Sequence, residues 1–226
     1  MRKLTTPLLM LTMVAALPLA AQGGGRMGDP TKQVAGSGKL PDGWMVRFDP
    51  GAPHTLADVN FVTMGSGFHA TSGPAAIYYN PKDKATGVYS VSATFKQTKT
   101  NSHEAYGIFI GGRNLQDSTQ NYLYLVVKPG DGSLAIGHRG SDGRPMYFIA
   151  SRAGPNAAVN KDGADGSATN ALTIHVAPDS VHFVVNGTLV KGIAKSELGG
   201  SSTDGQAGIR INHNIDVHID GWTVKK

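Results

Sequence analysis

Residues 171–187 read ALTIHVAPDSVHFVVNG, and this stretch decides the fold class. Its large apolar side chains recur at every second position, first at residues 172, 174 and 176 and then at 181, 183 and 185. A period of two is typical of strands with one buried face and one solvent-facing face. Asn186 and Gly187 suit a two-residue type I′ turn, because both central residues of that turn need positive φ. The stretch therefore predicts antiparallel strands, with a hairpin turn at its end.

The same alternation runs outward from this stretch, from about Tyr89 to Val224. Residues 121–150 are predicted to form a three-stranded meander, and residues 193–198 one short helical turn. The chain shows no internal repeat, which argues against a propeller, and no amphipathic helix of useful length. Many short strands with almost no helix predict an all-β protein, a two-sheet antiparallel jelly-roll sandwich.

The first 21 residues are interpreted as a secretory signal peptide, with a positive head at Arg2 and Lys3, an apolar run, and small residues before Gln22. A retained membrane anchor is the alternative, but the run is short for a bilayer and Pro18 interrupts its end. Residues 22–39 are predicted to be a flexible Gly-rich leader. Residues 40–226 are then long enough for one jelly-roll domain.

The composition limits which cellular compartments and which classes of partner are expected. The chain has no cysteine, so neither a disulfide nor a cysteine-linked lipid is available. An exported protein of this kind is expected in a bacterial periplasm or outside the cell. The formal charge of +5 falls to +3 when the two charges of Arg2 and Lys3 leave with the signal. The remaining positive residues are scattered, so we predict no nucleic-acid partner and no membrane span after cleavage.

Strand alternation also predicts a polar face. Tyr122 and Tyr124 alternate with core-facing leucines, Arg139 faces outward on the next strand, and Arg210 and Asn212 do so on the penultimate strand. Tyrosines beside arginine and asparagine suit a sugar, whose apolar ring face stacks on the aromatic ring while its hydroxyls take charge-assisted hydrogen bonds. The alternative is that the tyrosines form ordinary cross-strand pairs that stabilise the sheet.

Other polar residues allow two interpretations each. Asp216, His218 and Asp220 share one face of the last strand, which suits a metal or acid–base site or a plain solvated face. Asp162 and Asp165 occur in a long polar loop that either binds calcium or is simply solvated. No cofactor is predicted otherwise.

Catalytic motifs are scarce. No serine has the G-x-S-x-G surroundings of a hydrolase, and no strand carries the closely spaced Glu and Asp residues of a glucanase. Catalytic residues are therefore left unassigned, with His138 and His213 as acid–base candidates.

Five segments in this order resemble the concanavalin A-like lectin and glucanase jelly rolls: 104–113 (EAYGIFIGGR), 121–127 (NYLYLVV), the hairpin at 184–187 (VVNG), 205–213 (GQAGIRINH) and 217–224 (VHIDGWTV). Over residues 42–224 the chain is similar in particular to exported bacterial domains grouped with 3-keto-disaccharide hydrolases and to laminin-G-like modules. The resemblance implies a polar pocket on the concave sheet. It also implies that Arg113 is a pocket arginine, and that Arg210, Asn212 and His213 belong to a segment that supplies polar groups.

The sequence departs from the keto-sugar hydrolase group in two places. Glu104-Ala-Tyr-Gly107 stands where that group has an Asn-Ser-Gly triplet, and the expected Gln and His arrangement near the end is missing. Both departures favour binding over hydrolysis. The sequence thus predicts an exported carbohydrate-binding module that uses an aromatic and arginine-bearing concave face. A glycoside-acting hydrolase and a structural or protein-interaction domain of the cell envelope stay open as alternatives, and the oligomeric state is not predicted.

Overall fold

The computed structural model describes residues 34–51, 53–98, 104–140, 145–150 and 153–226. Within these ranges the chain forms fourteen strands, numbered in chain order, in two antiparallel seven-stranded sheets. The first sheet has the order β1 (Met45–Phe48), β4 (Ala76–Ala85), β13 (Gly205–Ile211), β6 (Tyr106–Arg113), β7 (Asn121–Lys128), β8 (Ser133–Arg139) and β9 (Pro145–Ile149). The second has the order β12 (Thr188–Ala194), β11 (Ser180–Val185), β10 (Ala168–Val176), β5 (Tyr89–Gln97), β14 (Ile215–Lys225), β3 (Gly67–Ser72) and β2 (Val59–Met64).

The chain crosses repeatedly between the two sheets, for example from β4 to β5 and from β13 to β14. The described residues contain two short 3-10 turns, Leu56–Asp58 and Lys195–Glu197, and no α-helix. The predicted fold class, a two-sheet antiparallel jelly-roll sandwich, is confirmed. No helix in the described part of the chain is long and apolar enough to cross a membrane.

The core lies between the sheets and follows the predicted alternation. The six apolar residues at positions 172, 174, 176, 181, 183 and 185 have no exposed surface. Ile108, Leu125 and Ile209 face them from the first sheet, also fully buried. Each such side chain stabilises the fold by roughly 1.5–3 kcal/mol. In a chain without cysteines, this burial is the main source of stability.

The hairpin at the end of β11 is confirmed, since φ is 50° at Asn186 and 79° at Gly187. The strand that follows it, β12, was not predicted from the sequence. β12 is an exposed edge strand, so its side chains do not alternate between buried and exposed. The predicted helical turn at residues 193–198 begins only after this strand, as the 3-10 turn Lys195–Glu197.

The long connection between β9 and β10 is anchored by a buried asparagine. Asn170 is fully buried, and its Oδ1 accepts hydrogen bonds from the backbone N–H of Asn160 at 2.9 Å and from Nδ2 of Asn186 at 2.8 Å. Its Nδ2 donates to the carbonyl oxygen of Asn160 at 3.0 Å. A buried amide with these partners holds the loop against the hairpin turn.

Residues 1–33 lie outside the described residues. The predicted signal peptide (residues 1–21) and most of the predicted leader (residues 22–39) therefore stay predictions. The described end of that leader contacts the domain, because the Gly36 N–H donates to the carbonyl of Ala57 at 3.1 Å.

Candidate functional site

A pocket of about 220 Å³ lies on the outer face of the first sheet, the face opposite the core. Short side chains at Ala105, Val126 and Ala135 leave space between larger neighbours. The larger residues that line it are Glu104, Tyr122, Tyr124, Lys128, Arg139, Tyr147, Arg210 and Asn212. β7, β8, β9, β13 and the segment just before β6 thus meet at one mixed aromatic and charged cavity.

Three tyrosines provide its aromatic surface. Tyr122 is 2% exposed, its ring centroid is 6.1 Å from that of Tyr124, and Tyr147 on the edge strand β9 is 49% exposed. Gly137 makes room for Tyr124, because a Cβ at that position would lie 2.5 Å from the tyrosine hydroxyl. Burial raises the pKa of Tyr124, and the neighbouring Tyr147 raises it further. Burial likewise raises the pKa of Tyr122, so both hydroxyls stay protonated at neutral pH.

A part-buried ion pair adjoins these rings. Nη1 and Nη2 of Arg210 donate to the two carboxylate oxygens of Asp49 at 2.6 and 2.5 Å, and the Arg210 side chain is 11% exposed. Burial alone would raise the pKa of Asp49, but the Arg210 guanidinium holds it below its ordinary value, with Arg139 and His213 contributing. Burial alone would lower the pKa of Arg210, and Asp49 instead raises it. Both groups are therefore charged at neutral pH.

A short chain of hydrogen bonds continues from this pair to the pocket edge. Nε of Arg210 donates to Oδ1 of Asn212 at 3.1 Å, and Nδ2 of Asn212 donates to Oε2 of Glu104 at 3.5 Å. Arg210 and Asn212 are two residues apart on β13, so strand geometry puts both on one face. These hydrogen bonds fix the Asn212 amide and the Glu104 carboxylate beside the cavity.

Arg139 is held more loosely. Its Nη1 lies 3.8 Å from Oδ2 of Asp49, and its side chain is 18% exposed. Its Nε is buried and has no hydrogen-bond partner among the described residues. The guanidinium thus keeps donors that no described protein group uses.

A loop covers the rest of this face. Leu115 is 3% exposed and packs with Ile77, Tyr79, Phe109 and Tyr122 in a second apolar cluster. Nη1 of Arg47 donates to the carbonyls of Leu115 at 3.0 Å and Asp117 at 2.7 Å. Nε2 of Gln116 donates to the Tyr79 hydroxyl at 2.7 Å. The segment 114–120 therefore fills one side of the face, and the cavity is what remains open.

Five of the six predicted ligand-binding residues lie together around the cavity: Tyr122, Tyr124, Arg139, Arg210 and Asn212. Arg113 does not join them. The register of β6 against β7 shifts between Ile110 and Arg113, where Gly111 has a φ of 66°. Beyond this shift, Arg113 lies away from the pocket. Its Nη2 donates to Oγ of Ser202 at 2.6 Å and its Nε to the carbonyl of Asp204 at 3.2 Å, beside a separate open cleft. The expectation that Arg113 converges with the other five is corrected by this bulge.

The weak catalytic candidates do not line the cavity. His138 lies on β8 between Gly137 and Arg139, and the strand alternation places it on the face that points toward the core. His213 follows β13 and contributes to the low pKa of Asp49, so it lies near the ion pair. Neither imidazole is among the cavity-lining groups.

The weak metal candidates Asp162 and Asp165 lie in the connection before β10, where Asp165 accepts hydrogen bonds from Ser167. On the outer face of the second sheet, Asp216 lies 3.2 Å from His69, and Asp220 contacts both His218 at 3.0 Å and Lys96 at 2.6 Å. The described ranges contain no group of three or more His, Cys, Asp or Glu residues arranged to hold a metal ion.

Sequence reasoning missed Asp49, Glu104, Lys128 and Tyr147. The alternation that selected Tyr122 and Tyr124 also places Lys128 on the same face of β7, so that signal was available. Asp49 and Glu104 lie just outside β1 and β6, and only the tertiary fold brings them to Arg210 and Asn212.

No family model matches the sequence, and the search of curated proteins found no match. Among solved structures, the chain is similar to carbohydrate-binding module CBM66 from Bacillus subtilis, at 10% identity and a TM-score of 0.58, over 81% of this chain and 96% of that chain. It is also similar to a GH16 protein of the Bacteroides ovatus mixed-linkage glucan PUL in complex with a G4G4G3G product. The identity is 12% and the TM-score 0.55, over 80% of this chain and 93% of that chain. The Bacteroides ovatus GH16 endo-glucanase in complex with G4G3G-2F-DNP gives the same values. These likenesses show the fold alone, a two-sheet antiparallel jelly-roll sandwich, which agrees with the fold that the sequence resemblance implied.

Proposed function

We propose that this protein is an exported carbohydrate-binding module that holds one sugar unit in the pocket on the outer face of the first sheet. The observation that carries the proposal is the meeting of tyrosine rings with the Arg210–Asn212–Glu104 chain at one cavity. A pyranose ring presents an apolar face to an aromatic ring, while its hydroxyls both donate and accept hydrogen bonds. Both kinds of partner line this pocket.

The size of the pocket supports a single unit. Drug-sized ligands occupy cavities of roughly 300–1,000 Å³, and this cavity measures about 220 Å³. The segment 114–120 occupies the adjoining part of the face through its Arg47 and Gln116 hydrogen bonds. The sugar unit bound here is therefore proposed to be a chain end or a side branch rather than the middle of a long chain.

The fold and the N-terminal sequence also support this proposal. The solved structures that share the fold include one described as a carbohydrate-binding module and one described as an endo-glucanase. The N-terminal sequence predicts export, so the glycan would be met in the periplasm or outside a bacterial cell. N-terminal sequencing of the protein from the culture medium or periplasm, beginning near Gln22, would test the export part.

The arrangement of carboxylates favours binding over glycoside hydrolysis. Glycosidases of the common type need two carboxyl groups that flank the scissile bond. Glu104 is the only carboxylate among the described residues that line the cavity, and Arg210 holds both oxygens of Asp49. We therefore propose a binding role and not the hydrolase alternative.

Calorimetric titration of the secreted protein with a panel of neutral and acidic monosaccharides and disaccharides tests the proposal. We expect Tyr124→Ala to lower the affinity for the best ligand at least about tenfold, because it removes the stacking ring. Tyr124→Phe keeps the ring and removes only the hydroxyl, so it distinguishes the contribution of stacking from that of the hydroxyl. Leu189→Ala is the control, since this residue is 58% exposed on β12 at the far edge of the other sheet. Absence of binding across the panel, or a Tyr124→Ala variant that binds like the parent protein, would overturn the proposal.

A further inference from the structure

Three part-buried charged side chains beside the pocket do not balance one another. Two guanidinium groups, those of Arg139 and Arg210, face one carboxylate, that of Asp49. The side chains of Arg139 and Arg210 are 18% and 11% exposed, and that of Asp49 is 26% exposed. A cation withdrawn from water is costly unless an anion or several hydrogen bonds compensate for the lost hydration. The cluster therefore carries one positive charge more than its negative charge.

Asp49 forms hydrogen bonds with Arg210, whereas Arg139 lies near it only at ion-pair distance. Both Asp49 oxygens accept short hydrogen bonds from Arg210, at 2.6 and 2.5 Å. The separation of 3.8 Å between Nη1 of Arg139 and Oδ2 of Asp49 exceeds hydrogen-bond length. With its buried Nε also unpaired among the described residues, Arg139 is the guanidinium that lacks an anion of its own.

The other described groups at the pocket do not neutralise Arg139. The Glu104 carboxylate lines the same pocket, but it accepts a hydrogen bond from the uncharged Asn212 amide and forms no ion pair with Arg139 among the described residues. Lys128 is paired with Asp131 at 3.0 Å, so this pair adds no net charge. The tyrosines are uncharged at neutral pH because burial raises the pKa of Tyr122 and Tyr124. None of the described residues therefore supplies Arg139 with a hydrogen-bonded anion of its own.

We propose that the bound sugar unit carries a carboxylate, as a uronic acid does, and that the guanidinium of Arg139 receives it. This inference rests on the proposed function. The planar fork of arginine matches a carboxylate with two parallel hydrogen bonds, which gives both strength and orientation. Tyr124 and Tyr147 then flank the sugar ring, and Asn212 and Glu104 are left for its hydroxyls.

The test compares matched acidic and neutral sugars on the secreted protein. Galacturonic and glucuronic acid are titrated against galactose and glucose, and against the methyl esters of the two acids. We expect the better acid to bind at least about tenfold more tightly than its neutral counterpart and its ester, with the preference shrinking at high salt. Arg139→Gln should abolish the preference, so that the acid, its ester and the neutral sugar bind alike, and Arg139→Lys should retain part of the preference.

Arg113→Gln is the matched control, because this arginine is held by Ser202 and Asp204 away from the pocket. It should keep the full preference for the acid. Equal binding of acid, ester and neutral sugar would overturn the carboxylate inference and leave carbohydrate binding standing. A preference for the acid that survives in Arg139→Gln would also overturn it. Failure of every sugar to bind would remove the proposed function, and this inference with it.

Discussion

Arg210 binds Asp49 through two hydrogen bonds, although the two residues are 161 positions apart in the sequence. Asp49 directly follows the edge strand β1, while Arg210 lies on β13, near the middle of the first sheet. The ion pair therefore ties the end of the edge strand to the sheet interior. It also supports the pocket, because Arg210 orients Asn212 through its remaining Nε–H.

Asp49→Ala should destabilise the protein strongly, because it leaves the Arg210 guanidinium buried without its anion. Removing one partner of a fully buried pair costs about 3–5 kcal/mol, and we expect a loss toward the lower end of that range because Asp49 is 26% exposed. The free energy of unfolding from urea titrations checks this expectation. The double variant Asp49→Ala with Arg210→Met should recover part of the loss, since it removes the stranded charge. A single variant within about 1 kcal/mol of the parent protein would show that the pair is not a structural unit.

The same pair predicts an acid-dependent loss of stability. The pKa of Asp49 in the folded protein lies below the value of 3.8 that it has when unperturbed. A lowered folded pKa stabilises the folded state at pH values above the unperturbed pKa, and this contribution disappears as the pH falls through the folded value. We therefore expect the stability gap between the parent protein and Asp49→Asn to be largest near neutral pH and to shrink below pH 3.8. A gap that is constant from neutral pH to about pH 2 would contradict this assignment.

The sheet faces were predictable because they depend on local alternation. Leu123 and Leu125 are fully buried in the core, and Tyr122 and Tyr124 face the pocket, as a period of two requires. Arg113 fails the same rule, because the register shift after Ile110 changes where later residues point. No local pattern marks this shift apart from the two consecutive glycines at 111 and 112.

The charged half of the site was harder to predict. Asp49 and Glu104 lie outside strands, so no periodicity assigns them to a face. Their positions depend on which strands become neighbours, and β13 separates β4 from β6 although it follows them by more than ninety residues in the chain. Sequence spacing carries little information about pairing at that range, and so the ion pair with Arg210 appeared only in the folded structure.

Gly137→Ala should weaken ligand binding without unfolding the protein. The added Cβ would lie 2.5 Å from the Tyr124 hydroxyl and 2.7 Å from Cζ, so the far end of that side chain has to move. Displacing the ring should lower sugar affinity about as much as Tyr124→Ala does, and the two substitutions together should add little more. Calorimetry on the two single variants and the double variant measures this. Full additivity would show that Gly137 does not act through Tyr124.

Arg47→Met should release the loop that closes one side of the pocket. The substitution keeps an aliphatic side chain but removes the donors that hold the carbonyls of Leu115 and Asp117. Hydrogen bonds from a charged donor contribute about 1.5–3 kcal/mol, so amide exchange across residues 114–120 should accelerate at least about tenfold. Exchange in β10 and β11, on the other sheet, serves as the internal control.

The same variant tests whether this loop limits the length of the bound glycan. If the loop restricts the pocket to one sugar unit, Arg47→Met should gain affinity for longer oligosaccharides relative to the monosaccharide. Faster loop exchange with unchanged length preference would show that the pocket is closed by other residues.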